Sequence, residues 1–128
     1  MKNIVFVYGS LKKSFKNSHI LNLSEFLGKD FTKEPKWAMV DLGYFPGVVP
    51  GGNNCIDGEL YVVDESTLIN LDLLEGNGSF YNREQILVNN FPEPVWMYIL
   101  INHYFTNSSE SCRIETTITN NIKYQKWV

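Results

Sequence analysis

Glu75 is the residue whose placement says most about chemistry. It closes the stretch "ESTLINLDLLE", in which Leu68, Leu71 and Glu75 stand at i, i+3 and i+7 and so share one face of a helix. A carboxylate on the apolar stripe is partly desolvated. At the C-terminal end of a helix it also meets the negative end of the macrodipole. Both effects disfavour the ionised form and raise the pKa, and a carboxyl raised toward neutrality suits a general base. The alternative is an ordinary helix-end acid that swings into water after Leu74. Asp72 is a weaker competitor, one position beyond Leu71 and expected nearer solvent. "FYNRE" follows at 80–84. Its Tyr81 and Arg83 read either as a core aromatic and a surface charge or as groups that orient a carboxylate or a ligand.

A second chemical candidate lies at the start of the chain, where "IVFVYGSLKK" (4–13) runs a buried-looking strand into Tyr8, Gly9 and Ser10. The stretch lacks the second glycine of a nucleotide P-loop, and no G-x-G-x-x-G occurs. Ser10 is not in a G-x-S-x-G elbow, and neither His19 nor His103 has an evident acidic orienter, so a serine nucleophile is disfavoured. Two readings stay open: a plain turn, or a cradle of backbone N–H groups for an anion. No CxxC or Cys/His ligand spacing is present, so neither a metal nor another cofactor is expected, and Cys55 and Cys112 read as reduced thiols.

The elements that must position these residues follow from pattern and punctuation. Residues 3–8 read as a strand, 9–16 as a lysine-rich loop, and 17–23 ("NSHILNL") as a short helix with Ile20, Leu21 and Leu23 inward. Strands are expected at 26–32 and 36–42. "GYFPGVVPGG" (43–52), rich in proline and glycine, reads as a shaped loop rather than a regular element. In "IDGELYVVD" (56–64), Ile56, Leu60 and Val62 take one face of a strand, and Glu59, Tyr61 and Val63 the other. Asp64 caps the helix, Glu65 favours its dipole and Gly76 suits its end. Further strands are expected near 83–89, 95–101 and 112–119, with a Ser/Asn-rich loop at 106–111. The tail "NNIKYQKWV" gives no clear signal. Many strands and two short helices predict an α+β fold over 1–128 as a single domain, a small mixed barrel-like sheet with flanking short helices.

Composition limits the partners. The chain has 128 residues, 44% hydrophobic and 20% charged, and so is globular rather than disordered. A net charge of −3 argues against a general nucleic-acid binder. The clusters Lys12/Lys13/Lys16 and Lys29/Lys33/Lys36 read as solvated faces. Ile4–Val7 is too short for a signal-peptide core and no run approaches a membrane span, so a soluble, cytoplasmic monomer is expected.

Taken together, the stretches resemble the gamma-glutamylcyclotransferase family, above all its gamma-glutamylamine cyclotransferase branch. "VFVYGSLKK" resembles the family's strand followed by YG[ST]L, and "NSHIL" its Asn-His-x-x-Leu with one residue inserted between Asn17 and His19. "DGELYVVD" resembles the G-E-[LV]-Y strand. "LDLLEGNGSFYNRE" resembles the Leu/Asp helix that ends in the catalytic glutamate, followed by Tyr-x-Arg. These anchors occur in the expected order from residue 4 to residue 84.

The resemblance implies a small barrel-like sheet with a cavity at one end. It also implies a reaction: the α-amine of a small gamma-glutamyl compound attacks its own side-chain amide, giving 5-oxoproline and a free amine. Glu75 would be the general acid/base. Gly9, Ser10 and Leu11 would hold the α-carboxylate through their backbone N–H groups, with Tyr8 shaping the pocket. Tyr44 and Pro46 would line its wall, and Tyr81 and Arg83 would complete the substrate-binding set. The competing function is a non-catalytic metabolite-binding module of the same fold, in which Glu75 is only a hydrogen-bond acceptor.

Overall fold

A computed structural model describes residues 3–9, 12, 21, 24–43, 45–101 and 113–128. The strand Asn54–Val63 (β5) is the hub. Its second half pairs antiparallel with Asn3–Val7 (β1) on one side and Glu25–Phe31 (β2) on the other. At its first half, Trp37–Asp41 (β3) meets it antiparallel and Ile122–Trp127 (β9) runs parallel beside it. β1 in turn runs parallel to Val95–Leu100 (β7), and β7 pairs antiparallel with Tyr81–Ile86 (β6). The result is a curled, mixed sheet, as expected.

The alternation in β5 puts its residues into two apolar layers. Ile56 and Leu60 join Phe6, Met39, Val48 and Met97 on one side of the sheet. Tyr61 and Val63 join Val5 and Val7 on the other, where the helix Glu65–Glu75 (α1) covers them with Leu68 and Leu71. Burying each such side chain is worth about 1.5–3 kcal/mol, which fixes α1 on the sheet and so fixes where its C-terminal end lies. Both ends of α1 carry the signals expected. The Asp64 carboxylate accepts from the Thr67 N–H at 2.7 Å. Gly76 takes the left-handed conformation (φ 61°, ψ 49°) that ends the helix without a Cβ penalty.

Several expectations change. Residues 43–52 are not irregular throughout: Pro46–Pro50 is a strand (β4) paired with β3 from Asp41↔Pro46 to Trp37↔Pro50. Its prolines sit at its two ends, and the strand stands last in the sheet order, so their missing N–H groups break no interior ladder. The tail is also ordered. Ile114–Thr119 (β8) and β9 form a hairpin whose turn residues, Asn120 and Asn121, both have positive φ, as a twist-matched two-residue turn requires. One helix, α1, lies within the described residues; the expected helix at 17–23 lies outside them except for Leu21, which is buried. The loop at 106–111 lies outside them as well. Lys12 is not part of a solvated face: it is 7% exposed, and its ammonium donates to the Trp127 carbonyl at 2.8 Å. Lys29, Lys33 and Lys36 are exposed as expected, and Cys55 is a free, buried thiol. No helix among the described residues is long and apolar enough to cross a membrane.

Candidate active site

Glu75 occupies the last turn of α1, half-buried. Desolvation pushes its carboxyl up from 4.5 to about 7. No hydrogen bond or ion pair from a described residue engages it. Asp72, one turn earlier, is the opposite case. Arg83 grips it with two bonds, Nε to Oδ1 at 2.9 Å and Nη2 to Oδ2 at 3.1 Å, and the Tyr98 hydroxyl donates to Oδ1 at 2.6 Å. The expectation that Asp72 lies toward solvent is therefore corrected. Its carboxylate is committed to a charge-assisted pair, whereas no described residue engages that of Glu75.

Three buried tyrosines, Tyr8, Tyr81 and Tyr98, feel the Glu75 charge. Burial is the leading cause that drives each phenol above its ordinary range, and the Glu75 carboxylate adds to it. All three stay neutral near pH 7 and have committed their protons. Tyr8 donates to the Tyr98 carbonyl at 2.6 Å, Tyr81 to the Pro46 carbonyl at 2.6 Å, and Tyr98 to Asp72. They are walls and struts rather than acids.

The β1 turn reaches the same place. A Cβ on Gly9 would lie 2.9 Å from both Cγ and Cδ of Pro46, so only glycine lets the turn lie against the start of β4. The Lys12 N–H closes that turn on the Gly9 carbonyl at 3.0 Å. Pro46 thus joins Gly9 by contact and Tyr81 by hydrogen bond.

Of the residues expected at the site, Glu75, Tyr8, Gly9, Pro46 and Tyr81 come together. Arg83 stands behind them: it braces Asp72, stacks 4.2 Å over the Trp96 ring, and its N–H bonds the Asn77 side chain at 2.9 Å. Ser10, Leu11 and Tyr44 lie outside the described residues. Tyr98, which braces Asp72, carries no signal in the sequence. It sits in the unbroken apolar run "VWMYIL", where nothing separates a strut for Asp72 from core packing.

Comparison with known proteins gives the family. The family described as "Gamma-glutamyl cyclotransferase, AIG2-like" matches residues 5–127. An Escherichia coli relative, "Gamma-glutamylcyclotransferase family protein YtfP", is 39% identical over 95 residues, covering 74% of this chain and 80% of its own. A Vibrio cholerae relative is 43% identical over 86 residues, covering 67% of this chain and 73% of its own. The crystal structure of a mouse AIG2-like protein superposes with a TM-score of 0.68 at 28% identity, covering 83% of this chain and 80% of that one. The chain therefore belongs to the gamma-glutamyl cyclotransferase, AIG2-like family of gamma-glutamylcyclotransferase-like enzymes.

Proposed function

We propose that the protein is a gamma-glutamyl cyclotransferase that releases 5-oxoproline and a free amine from a small gamma-glutamyl amide, a gamma-glutamylamine being the favoured substrate. One observation carries the reading: a desolvated Glu75 carboxyl, engaged by no described residue, acts on three neutral tyrosines beside the Gly9 turn.

The substrate's α-carboxylate binds the backbone N–H groups of Gly9, Ser10 and Leu11. Its α-amine, an ammonium in water, gives a proton to Glu75 and attacks the side-chain amide carbon. A five-membered ring forms, its nitrogen sheds a second proton to water, the C–N bond to the departing amine breaks, and Glu75 returns its own proton to that departing nitrogen. The nucleophile and the electrophile belong to one molecule, so positioning does much of the work; well-oriented intramolecular reactions reach effective molarities of about 10⁵ M or more. A base near pH 7 is half-ionised where it acts, and can both take and give the proton. No cofactor has a part in this route. The Tyr8 and Tyr81 rings hold the pocket's shape, and Arg83 acts indirectly by fixing Asp72 and the helix end.

The test is 5-oxoproline release from a panel of gamma-glutamyl amides. Wild-type protein turns over at least one of them, and Glu75→Gln lowers the rate by roughly 10²–10⁴-fold while leaving the fold intact. Stoichiometric binding with no turnover of any member would replace this reading with a metabolite-binding module.

A further inference from the structure

A cavity of about 500 Å³ shares no lining residue with the groups around Glu75. Its size is that of small-molecule sites, which run to about 300–1,000 Å³. Three lysines line it, Lys12, Lys29 and Lys126, and two carboxylates of β5, Asp57 and Glu59, face them. This convergence follows from strand register. Asp57 and Glu59 are two positions apart and so share a face of β5. Lys29 of β2 stands directly opposite Glu59, and Phe31 opposite Asp57. Phe31 and Trp127 supply apolar lining. Asp30 also reaches the cavity, but its carboxylate is taken up by the N–H groups of Phe31 and Asn90. Glu59 accepts from the Tyr61 hydroxyl at 3.2 Å, Lys12 donates to the Trp127 carbonyl, and Lys126 lies 4.0 Å from the Glu115 carboxylate, so each enters the site already partly engaged.

We propose that this cavity is a second binding site, for a small zwitterion with a free carboxylate and a free ammonium, such as an amino acid or short peptide. The chemistry of the lining selects that class. A phosphate-like polyanion would meet Asp57 and Glu59, and a simple cation would meet three lysines. A zwitterion answers both, its carboxylate toward Lys12 and Lys126 and its ammonium toward Asp57 and Glu59. Lys12 and Glu59 are 7% and 8% exposed, so these are charges built into the wall rather than mobile surface groups. Burial holds the Lys12 amine down at about 8 even though Glu59 and Asp57 pull it upward, so an added carboxylate would strengthen its charged form. Desolvation likewise raises the Asp57 carboxyl against the pull of Lys126 and Lys12. The site does not depend on the function proposed for Glu75. It is tied to that region by the turn from Gly9 to Lys12, which touches Pro46 at one end and the cavity at the other.

Calorimetric titration of the whole chain with alanylalanine, its N-acetyl form, its C-terminal amide and inorganic phosphate tests this. The dipeptide binds saturably, and each capped form binds about ten-fold more weakly or worse, the loss of roughly one charge-assisted contact. Lys126→Ala and Asp57→Asn, neither in the apolar core, each weaken dipeptide binding by about ten-fold with unchanged melting, and Lys12→Met weakens it further. The proposal is overturned if the dipeptide does not bind, if phosphate or a capped form binds equally well, or if binding ignores both Lys126→Ala and Asp57→Asn.

Discussion

At the scale of single residues, two acids one turn apart take opposite roles because of what touches them. Asp72 receives Arg83 and Tyr98 and is spent on structure. Glu75 receives neither and is left desolvated. That difference has a thermodynamic signature. The folded protein keeps the Glu75 proton up to about pH 7, whereas a carboxyl with the ordinary value of 4.5 releases it far earlier. Wild-type stability should therefore fall as pH rises through that window, by up to roughly 3 kcal/mol. Glu75→Gln escapes this penalty. It should be more stable than wild type at pH 8 and no more stable at pH 4, as thermal or urea melts at the two pH values will show. Equal stabilities at pH 8 would mean that the carboxylate is well solvated. The position of Glu75 could be read from Leu68 and Leu71, because helix spacing alone sets its face. Its contrast with Asp72 could not, because Arg83 and Tyr98 reach Asp72 only after β6 and β7 pair.

At the scale of elements, the candidate site is assembled by four chain segments: the end of α1, the exit of β1, the start of β4 and the start of β6. Local signals made two of them legible. Asp64 and Gly76 mark α1, and the apolar run into Tyr8-Gly9 marks β1. β4 was hidden because its sequence, "PGVVP", has the composition of a turn, and only its place beside β3 makes it a strand. The contact between Gly9 and Pro46 is correspondingly sensitive. Gly9→Ala would place a methyl group 2.9 Å from the proline ring, and the proline cannot yield because its carbonyl holds Tyr81. The turn must shift instead. A misplacement of this kind should lower kcat/KM by roughly 10- to 100-fold with little loss of fold, which steady-state kinetics and circular dichroism together will check.

At the scale of the whole molecule, the C-terminal hairpin extends the sheet from β5. β9 lies along β5, the Gln125 side-chain oxygen accepts from the Met39 N–H at 2.8 Å, and Trp127 is 2% exposed. The sequence hides this, because the buried positions of β9 include a glutamine, and a buried polar residue breaks the alternation by which a strand is recognised. Trp127→Ala should cost about 3–5 kcal/mol of stability, measurable by urea denaturation. It would also remove a wall of the charged cavity. The mixed sheet and its helix were legible as a class, since strand patterns and caps are local. The pairing of β5 with four neighbours is a property of long-range register, which no local pattern encodes.

In the proposed reaction Glu75 is the base that starts ring closure. The pH dependence of kcat/KM for 5-oxoproline release tests it most directly. Wild-type activity should rise about ten-fold per pH unit below the Glu75 pKa and level off above about 7, where its carboxylate predominates. The residual activity of Glu75→Gln should lack that rise. A wild-type profile that is flat from pH 5 to 8, or a Glu75→Gln profile that keeps the same rise, would contradict the account.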